Sequence, residues 1–467
     1  MINAMGWRWW CVIQVLLLLG PFMASSHSII RNLPGFSGDL PFKLESGYIG
    51  VGQEEEVQLF YLFVESQRNP SKDPILLWFV GGPGCSALSA FLFENGPVTI
   101  DRNSSGILPT LVLNPYAWTQ VLNVMYIDLP VGTGFSYSQT QQGYYSNDTL
   151  WIENTYDFLQ KWFIDHPEFV SNPFYIGGGS YSALPTVPLV KKVYEVGNKA
   201  GSSPLINIKG FVLASPFTDA FLDMNSRVAY AHQMSLISDE LYESIKASCN
   251  GDYVNRIPNN TKCVSDYEAY SRLIRYININ QILEPVCINT PDLKDRILLE
   301  DSSSEGILQS LLKVSNFWCR GYDHIRVNQW ANNEDVRNAL HIREGTKGEF
   351  LRCNKSLSYE TNLQSVVDYH RDLTKTNLQC LVYCADLDLA IPHVGTQAWI
   401  KSLNLKIDDP WRAWFVDGQV AGYTQIYKNH DYFLTYVGVK GAGHVAQSYK
   451  PKEVLQMIER WFSYALI

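Results

Sequence analysis

Short apolar runs separated by amphipathic stretches constrain this chain more than any other feature. DPILLWFVGG (73–82), NVMYIDLP (123–130), NPFYIGG (172–178) and IKGFVLAS (208–215) are continuous rather than alternating in their apolar residues. Such runs read as strands buried on both faces. Between the second and third lies DTLWIENTYDFLQKWFIDHP (148–167), an amphipathic helix. Trp151, Thr155, Phe158, Leu159 and Trp162 fall near one face, and Pro167 ends it. A further helix runs through LVKKVYEV. Strands alternating with helices predict an α/β fold, a mostly parallel central sheet with helices on both faces. The sheet resumes with LQCLVYCADLD (378–388) and YFLTYVGVKGAGH (432–444), and a last helix (451–464) closes the chain. From about 216 to 330 the rhythm changes to helical hairpins without clear buried strands, which predicts an inserted cap. Within it, residues 291–316 carry the polar cluster EDSSSEG and read as an exposed, protease-accessible loop.

The chain has 467 residues, 46% hydrophobic and 18% charged, enough to bury a large core. Its 37 Lys and Arg against 46 Asp and Glu leave a net charge of −9, which argues against nucleic acid as a partner. No Walker-type glycine loop, HExxH motif or CxxC pair occurs, so neither cofactor nor metal is expected.

Residues 1–26 read as a secretory signal peptide. Arg8 supplies the positive charge, CVIQVLLLLG (11–20) the apolar core and Ala24-Ser25-Ser26 the small residues, so the mature chain is expected to begin at His27. That apolar run is too short to span a bilayer, and no membrane association is expected after cleavage. The secretory route allows disulfides. Cys380 and Cys384 lie about 13 Å apart along one strand and read as buried free thiols. Six cysteines then remain for three bridges, whose pairing the spacing leaves open. Asn103, Asn147, Asn259 and Asn354 are candidate glycosylation sites.

Ser180, in YIGGGSYSAL, stands between a buried strand and a helix, where a nucleophile elbow exposes its serine above a sheet. Gly178, Gly179, Ser182 and Ala183 are small enough for that close turn, although Ser182 departs from the G-x-S-x-G pattern. A serine nucleophile needs a base, and the base an orienting carboxylate. In α/β-hydrolase order the acid follows the serine and the histidine comes last. His444, in the glycine-flanked KGAGHVAQSY, suits the base better than His393 at a helix start or His430 in a polar turn. Asp388 suits the acid better than Asp386, which reads as structural. The oxyanion donors would be the backbone amides of Tyr181 and of Gly81 in WFVGGPGCSA (78–87).

These segments resemble the serine carboxypeptidase family, and within it the plant carboxypeptidase-like acyltransferases. The matching stretches include LPGFSGDLPFKLESGYIGV (33–51), GGPGCSA, FENGP (93–97), IDLPVGTGFSYS (127–138), IDHPEFVSNPFYIGG (164–178), ALHIREGTKGEF (339–350) and PWRAWFVDGQVAGYTQIY (410–427). The resemblance implies an α/β-hydrolase fold over residues 27–467. It makes Ser180, Asp388 and His444 a triad, and Gly81 and Tyr181 the oxyanion donors. It sets Trp78, Glu94 and Gly179 at the substrate, and pairs Cys85 with Cys353, Cys249 with Cys263 and Cys287 with Cys319. Some relatives excise the 291–316 region.

The departures bear on activity. The family has an acid before the nucleophile where this chain has Gly179, peptidases have Asn at Val80, and Gln447-Ser448 replaces Pro-Glu. Losing the partner of Glu94 removes the peptidase mode of binding a C-terminal carboxylate. It also predicts an ionised Glu94 that would favour a cationic acceptor. The implied reaction moves an acyl group from a 1-O-acyl-β-glucose to the hydroxyl of a small plant metabolite such as a phenolic, sugar or alkaloid alcohol. Donor and acceptor would be the partners, without a cofactor, in the vacuole or outside the cell. A peptidase or esterase, and a non-catalytic companion of a paralogue, are the alternatives.

Overall fold

The computed structural model describes residues 27–104, 106–198, 203–286 and 320–467. Residues 1–26, expected to be a signal peptide, and the expected 291–316 loop and Cys287–Cys319 pair lie outside the described residues. A single sheet of twelve strands organises the rest. In chain order these are β1 (His27–Ile30), β2 (Leu44–Val51), β3 (Val57–Val64), β4 (Ile75–Phe79), β5 (Asn123–Ile127), β6 (Tyr137–Ser138), β7 (Phe174–Gly179), β8 (Ile208–Ala214), β9 (Gln379–Ala385), β10 (Lys406–Val416), β11 (Gln419–Asn429) and β12 (Tyr432–Val439). Across the sheet the order is β1-β2-β3-β5-β4-β7-β8-β9-β12-β11-β10, with β6 pairing on β3.

The central strands β5, β4, β7, β8, β9 and β12 are parallel, as the continuous apolar runs predict. Helices α1 (Leu88–Phe93), α2 (Asp148–Asp165), α3 (Ala183–Lys192), α4 (Ala220–Gln233), α5 (Asp239–Ser248), α6 (Thr261–Ile274), α7 (Gly321–Ala331), α8 (His393–Ser402) and α9 (Pro451–Phe462) surround it. One core joins α1, α7 and α9 to the sheet through Phe91, Trp330 and Ile458. The opposite core takes Trp151, Phe158 and Trp162 of α2, Val187 of α3 and Trp399 of α8. The chain thus belongs to the α/β-hydrolase fold, parallel in its centre and covered on both faces.

Both edges are antiparallel, which the strand–helix alternation does not reveal. No helix intervenes between β1, β2 and β3, or between β10, β11 and β12, so that rhythm is silent there. In β10 the charged KIDDP segment and its proline are tolerated because the strand is an edge.

Within the insertion α4, α5 and α6 share a small core of their own, including Val228, Ile245 and Tyr270. Cys249 and Cys263 are disulfide-bonded across α5 and α6, and Cys85 is bonded to Cys353. Cys380 and Cys384 are buried free thiols. Of the candidate glycosylation sites, Asn103 and Asn259 are exposed, and Asn147 caps α2 by accepting from the Leu150 amide at 2.8 Å. Asn354 is half-buried, and its Nδ2 donates to Gly132 O at 3.1 Å.

A buried ion pair ties α2 to the edge of the sheet. His166 Nε2 lies 3.0 Å from Glu45 Oε1, and Tyr61 Oη donates to the same oxygen at 2.7 Å. Burial raises the Glu45 pKa, but the hydrogen bond and charge of His166 bring it below the ordinary 4.5. Burial lowers that of His166, and Glu45 more than reverses this, lifting it above 6.5. The Glu45 contribution is present above pH 4.5 and lost as pH falls through its lowered folded value. The His166 contribution is full below pH 6.5 and lost as pH rises through its raised value. Thermal unfolding against pH is expected to show this pair stabilising most between those limits, by roughly 1.5–3 kcal/mol. His166→Gln should flatten that profile.

Candidate active site

The functional residues gather at the carboxyl ends of the parallel strands, where open α/β sheets bind ligands. β7 ends at Gly179, and Ser180 follows with φ of 59°. That left-handed conformation is costly for a residue with a Cβ and marks a strained turn that lifts a side chain off the strand. Ser182 Oγ donates to Gly179 O at 2.8 Å, folding the turn onto the start of α3. β4 delivers Gly81 against the same turn. A Cβ on Gly81 would stand 2.7 Å from Ser180 Cβ, 2.8 Å from Gly179 O and 3.1 Å from the Tyr181 amide nitrogen. Only glycine allows that approach, which brings the Gly81 backbone against Ser180 and the Tyr181 amide.

Two buried carboxylates hold these amides in place. Asp128, just past β5, accepts from Ser86 Oγ at 2.6 Å, from the Ala87 amide at 2.8 Å and from the Phe135 amide at 2.8 Å. It thereby ties the segment after Gly81 to the sheet. Asp148, at the start of α2, accepts from Tyr181 Oη and Tyr359 Oη at 2.6 Å each, and from the Asn362 and Leu363 amides. The Cys85–Cys353 disulfide, together with the Ser86 amide on Arg352 O at 2.7 Å, joins the Gly81 loop to the segment that carries Arg352.

β9 and β12 supply the second half. Asp388 is fully buried; its Oδ1 accepts from the Ala390 and Ile391 amides, and its Oδ2 lies 2.7 Å from His444 Nδ1. Burial pulls the His444 pKa down, but the charge and hydrogen bond of Asp388 hold it above the ordinary imidazole value. The His444 amide donates to Asn280 O at 2.7 Å, so the insertion buttresses the histidine loop. Asp386 accepts from the Gly441 amide at 2.7 Å and shapes that loop. His393 starts α8 with its ring against Tyr230, and His430 is exposed in a turn; neither lines the cleft.

Ser180, His444, Gly81, Val80 and Glu94 line one cleft of about 660 Å³. Its far wall comes from residues 277–280, 284–286, 320–321, 323–324, 445 and 448–449, and Arg102 and Arg352 join Arg320 in lining it. The volume suits a drug-sized ligand. A half-buried serine on a strained turn that lines the cleft, with an imidazole held by a buried carboxylate lining the same cleft, can carry out nucleophilic acyl transfer.

Three expectations for the substrate-contacting positions change. Trp78 does not line this cleft: it is fully buried in β4 with its ring 4.9 Å from that of Trp118, a core residue beneath the site. Gly179 is not in the cleft wall either. Its backbone is extended, and a Cβ there would meet Ala214 at an ordinary 3.5 Å, so no steric demand selects the glycine. Glu94 is buried, and that burial raises its carboxyl pKa, opposed by a 2.9 Å hydrogen bond from Gln447 Nε2. Burial thus works against the charge on Glu94 that the expected attraction of a cation needs.

Charges that motif reading passed over dominate instead. Arg320 Nε pairs with Glu284 Oε1 at 2.9 Å and its guanidinium covers the Tyr449 ring. His324, its pKa pressed down to about 3 by burial and the neighbouring arginines, packs as a neutral ring on Phe93. Burial lowers the Arg352 guanidinium to about 10, and Glu94 opposes that shift, so it stays cationic at neutral pH. Among the described residues the Arg352 side chain makes no hydrogen bond, and it faces the cleft. IDLP and FLRC were visible, but nothing in one sequence marks Asp128 or Arg352 as facing the site.

The contrast between two glycines is testable. Gly179→Asp should fold with a thermal midpoint within a few degrees of wild type, whereas Gly81→Ala should displace the Ser180 turn. A fluorophosphonate probe of serine reactivity should label Gly81→Ala roughly 10²–10³-fold more slowly, the scale of losing an oxyanion donor.

The model of the serine carboxypeptidase family matches residues 34–464. Serine carboxypeptidase-like 2 of Arabidopsis thaliana is 43% identical over 455 residues, 96% of each chain. Serine carboxypeptidase-like 10 of the same plant is 45% identical over 450 residues, 96% of this chain and 97% of that one. The prohormone-processing carboxypeptidase Kex1 of Saccharomyces cerevisiae aligns over 91% of each chain with a TM-score of 0.70 at 16% identity, a likeness of fold. With its strand order, its insertion and the site built at its strand ends, this chain belongs to the serine carboxypeptidase family.

Proposed function

We propose that the protein is an acyltransferase that moves an acyl group from a 1-O-acyl-β-glucose to the hydroxyl of a small plant metabolite, in the vacuole or outside the cell. Ser180 Oγ attacks the ester carbonyl while His444 takes its proton through Nε2, and Asp388 holds the resulting imidazolium. The Gly81 and Tyr181 amides bind the oxyanion, glucose leaves, and an acyl-Ser180 forms. The acceptor hydroxyl, deprotonated by His444, then attacks in place of water.

The carboxylate arrangement carries this reading over a peptidase. Glu94 is buried and satisfied by Gln447, Gly179 brings no acid beside it, and Val80 stands in the cleft where peptidases place Asn. A peptide C-terminal carboxylate thus loses the contacts that peptidases give it. The insertion supports transfer over hydrolysis by walling the cleft beside His444, which favours a positioned acceptor over water. Arg352 favours an acceptor or acyl group that carries a negative charge.

Four outcomes test the reading. With a panel of 1-O-acylglucoses and mixed alcohols, mass spectrometry should find acylated acceptor that Ser180→Ala abolishes; free acid alone would make the enzyme a hydrolase. The acid limb of kcat/KM should lie above pH 6.5, because His444 must be neutral and its pKa is raised. Asp388→Asn should lower kcat by roughly 10⁴-fold. Arg352→Leu should raise KM for a carboxylate-bearing substrate roughly tenfold or more and leave a neutral analogue almost unaffected.

A further inference from the structure

Far from the cleft, three side chains from separate segments converge on one point. His27 opens β1, Glu45 lies in β2, and His166 follows the last turn of α2. One ligating atom from each lies within 4.8 Å of the others. His166 Nε2 is 3.0 Å from Glu45 Oε1, and His27 Nε2 is 4.0 Å from Glu45 Oε2, the two imidazole centroids being 4.9 Å apart. Asp148 begins α2 beside Tyr181, so the eighteen residues of that helix separate this cluster from the catalytic end by about 27 Å.

The hydrogen bonds fix which atoms face inward. His166 Nδ1 lies 2.9 Å from Trp162 O, and a carbonyl only accepts, so Nδ1 carries the proton. Nε2 therefore turns toward the Glu45 carboxylate. Without a positive charge between them, the imidazole lone pair and the carboxylate lone pairs would confront each other at 3.0 Å in a buried place. A cation held between the two groups resolves that conflict. The imidazole of His27 stands over the same carboxylate and completes a set of three ligating groups.

We propose that His27, Glu45 and His166 bind one divalent metal ion of the zinc class. Two imidazole nitrogens and one carboxylate are a common ligand set for zinc, leaving a position for water. The surrounding bonds are those that metal ligands require. The Trp162 carbonyl fixes the tautomer of His166, and Tyr61 Oη donates to Glu45 Oε1 at 2.7 Å. Metal bonds of about 2.0–2.2 Å need the ligating atoms somewhat closer than they stand. His27, the partly exposed member on the terminal residue of β1, is placed to close that gap. Glu45 and His166 are buried and already adjacent. The bound ion would clip β1 to β2 and to the end of α2, so its role is structural and the acyl chemistry needs no metal.

The test uses the purified secreted protein, stripped with a chelator and dialysed. Titration with zinc chloride at pH 7.5 should show one ion per chain and raise the thermal midpoint. Cobalt(II) should give visible absorption of a nitrogen- and oxygen-ligated site. His27→Ala should weaken zinc binding at least tenfold and remove the cobalt spectrum, while leaving the midpoint of the stripped protein and the reactivity of Ser180 unchanged. Glu45→Gln should do the same to binding, although that variant also loses the buried ion pair. Failure of the stripped protein to take up a stoichiometric ion would overturn the proposal. So would equal binding by His27→Ala, which would trace uptake to other surface histidines.

Discussion

The backbone at Ser180 is the constraint on which the site depends. A serine held at φ of 59° between β7 and its helix is unfavourable by itself and persists only because its surroundings over-determine it. Gly81 presses against Ser180 from β4, and the Phe217 amide donates to Ser180 O at 3.1 Å from the strand on the other side. The parallel order β4-β7-β8 makes both contacts possible, because each strand ends at the same level. The central sheet is therefore a jig that sets a nucleophile, two amides and an imidazole at one edge.

Buried carboxylates carry out the remaining positioning, and each is satisfied by several donors. Asp128 holds the loop after Gly81, Asp148 holds Tyr181, and Asp388 holds His444. A buried carboxylate without such donors would neutralise, so the amides and hydroxyls around each are as necessary as the acid. Glu94 shows the other regime. Burial dominates there, opposed by a hydrogen bond from the neutral amide of Gln447. In the proposed reading this frame does not bind a peptide terminus, and Arg352 supplies the cleft's charge recognition.

Sequence patterns reached the parallel core and the strand-end residues because both leave local signatures. Continuous apolar runs mark doubly covered strands, and Gly-Gly-Gly-Ser between strand and helix marks a close turn. The antiparallel edges escaped because hairpin strands lack the helix between them that makes the rhythm audible, and because β10 is mostly exposed and contains Pro410. Arg352, Asp128 and the His27–Glu45–His166 cluster escaped for a different reason. Their meaning lies in what the fold brings beside them, Glu94 for the first, the Gly81 loop for the second, and for the third His166, 121 positions beyond Glu45. Trp78 was misread in the opposite sense, since an aromatic residue near a catalytic loop can as well be the floor beneath it.

The central claim is that acyl-Ser180 forms and passes to an alcohol rather than to water. Rapid-quench intact mass spectrometry with a 1-O-acylglucose measures it directly, by following the acyl adduct with and without acceptor. The account predicts an adduct on Ser180 that forms with release of one glucose and persists in buffer. Addition of the acceptor should discharge it with matching formation of ester. An adduct that decays at the same rate with and without any acceptor, or no adduct at all, would contradict it.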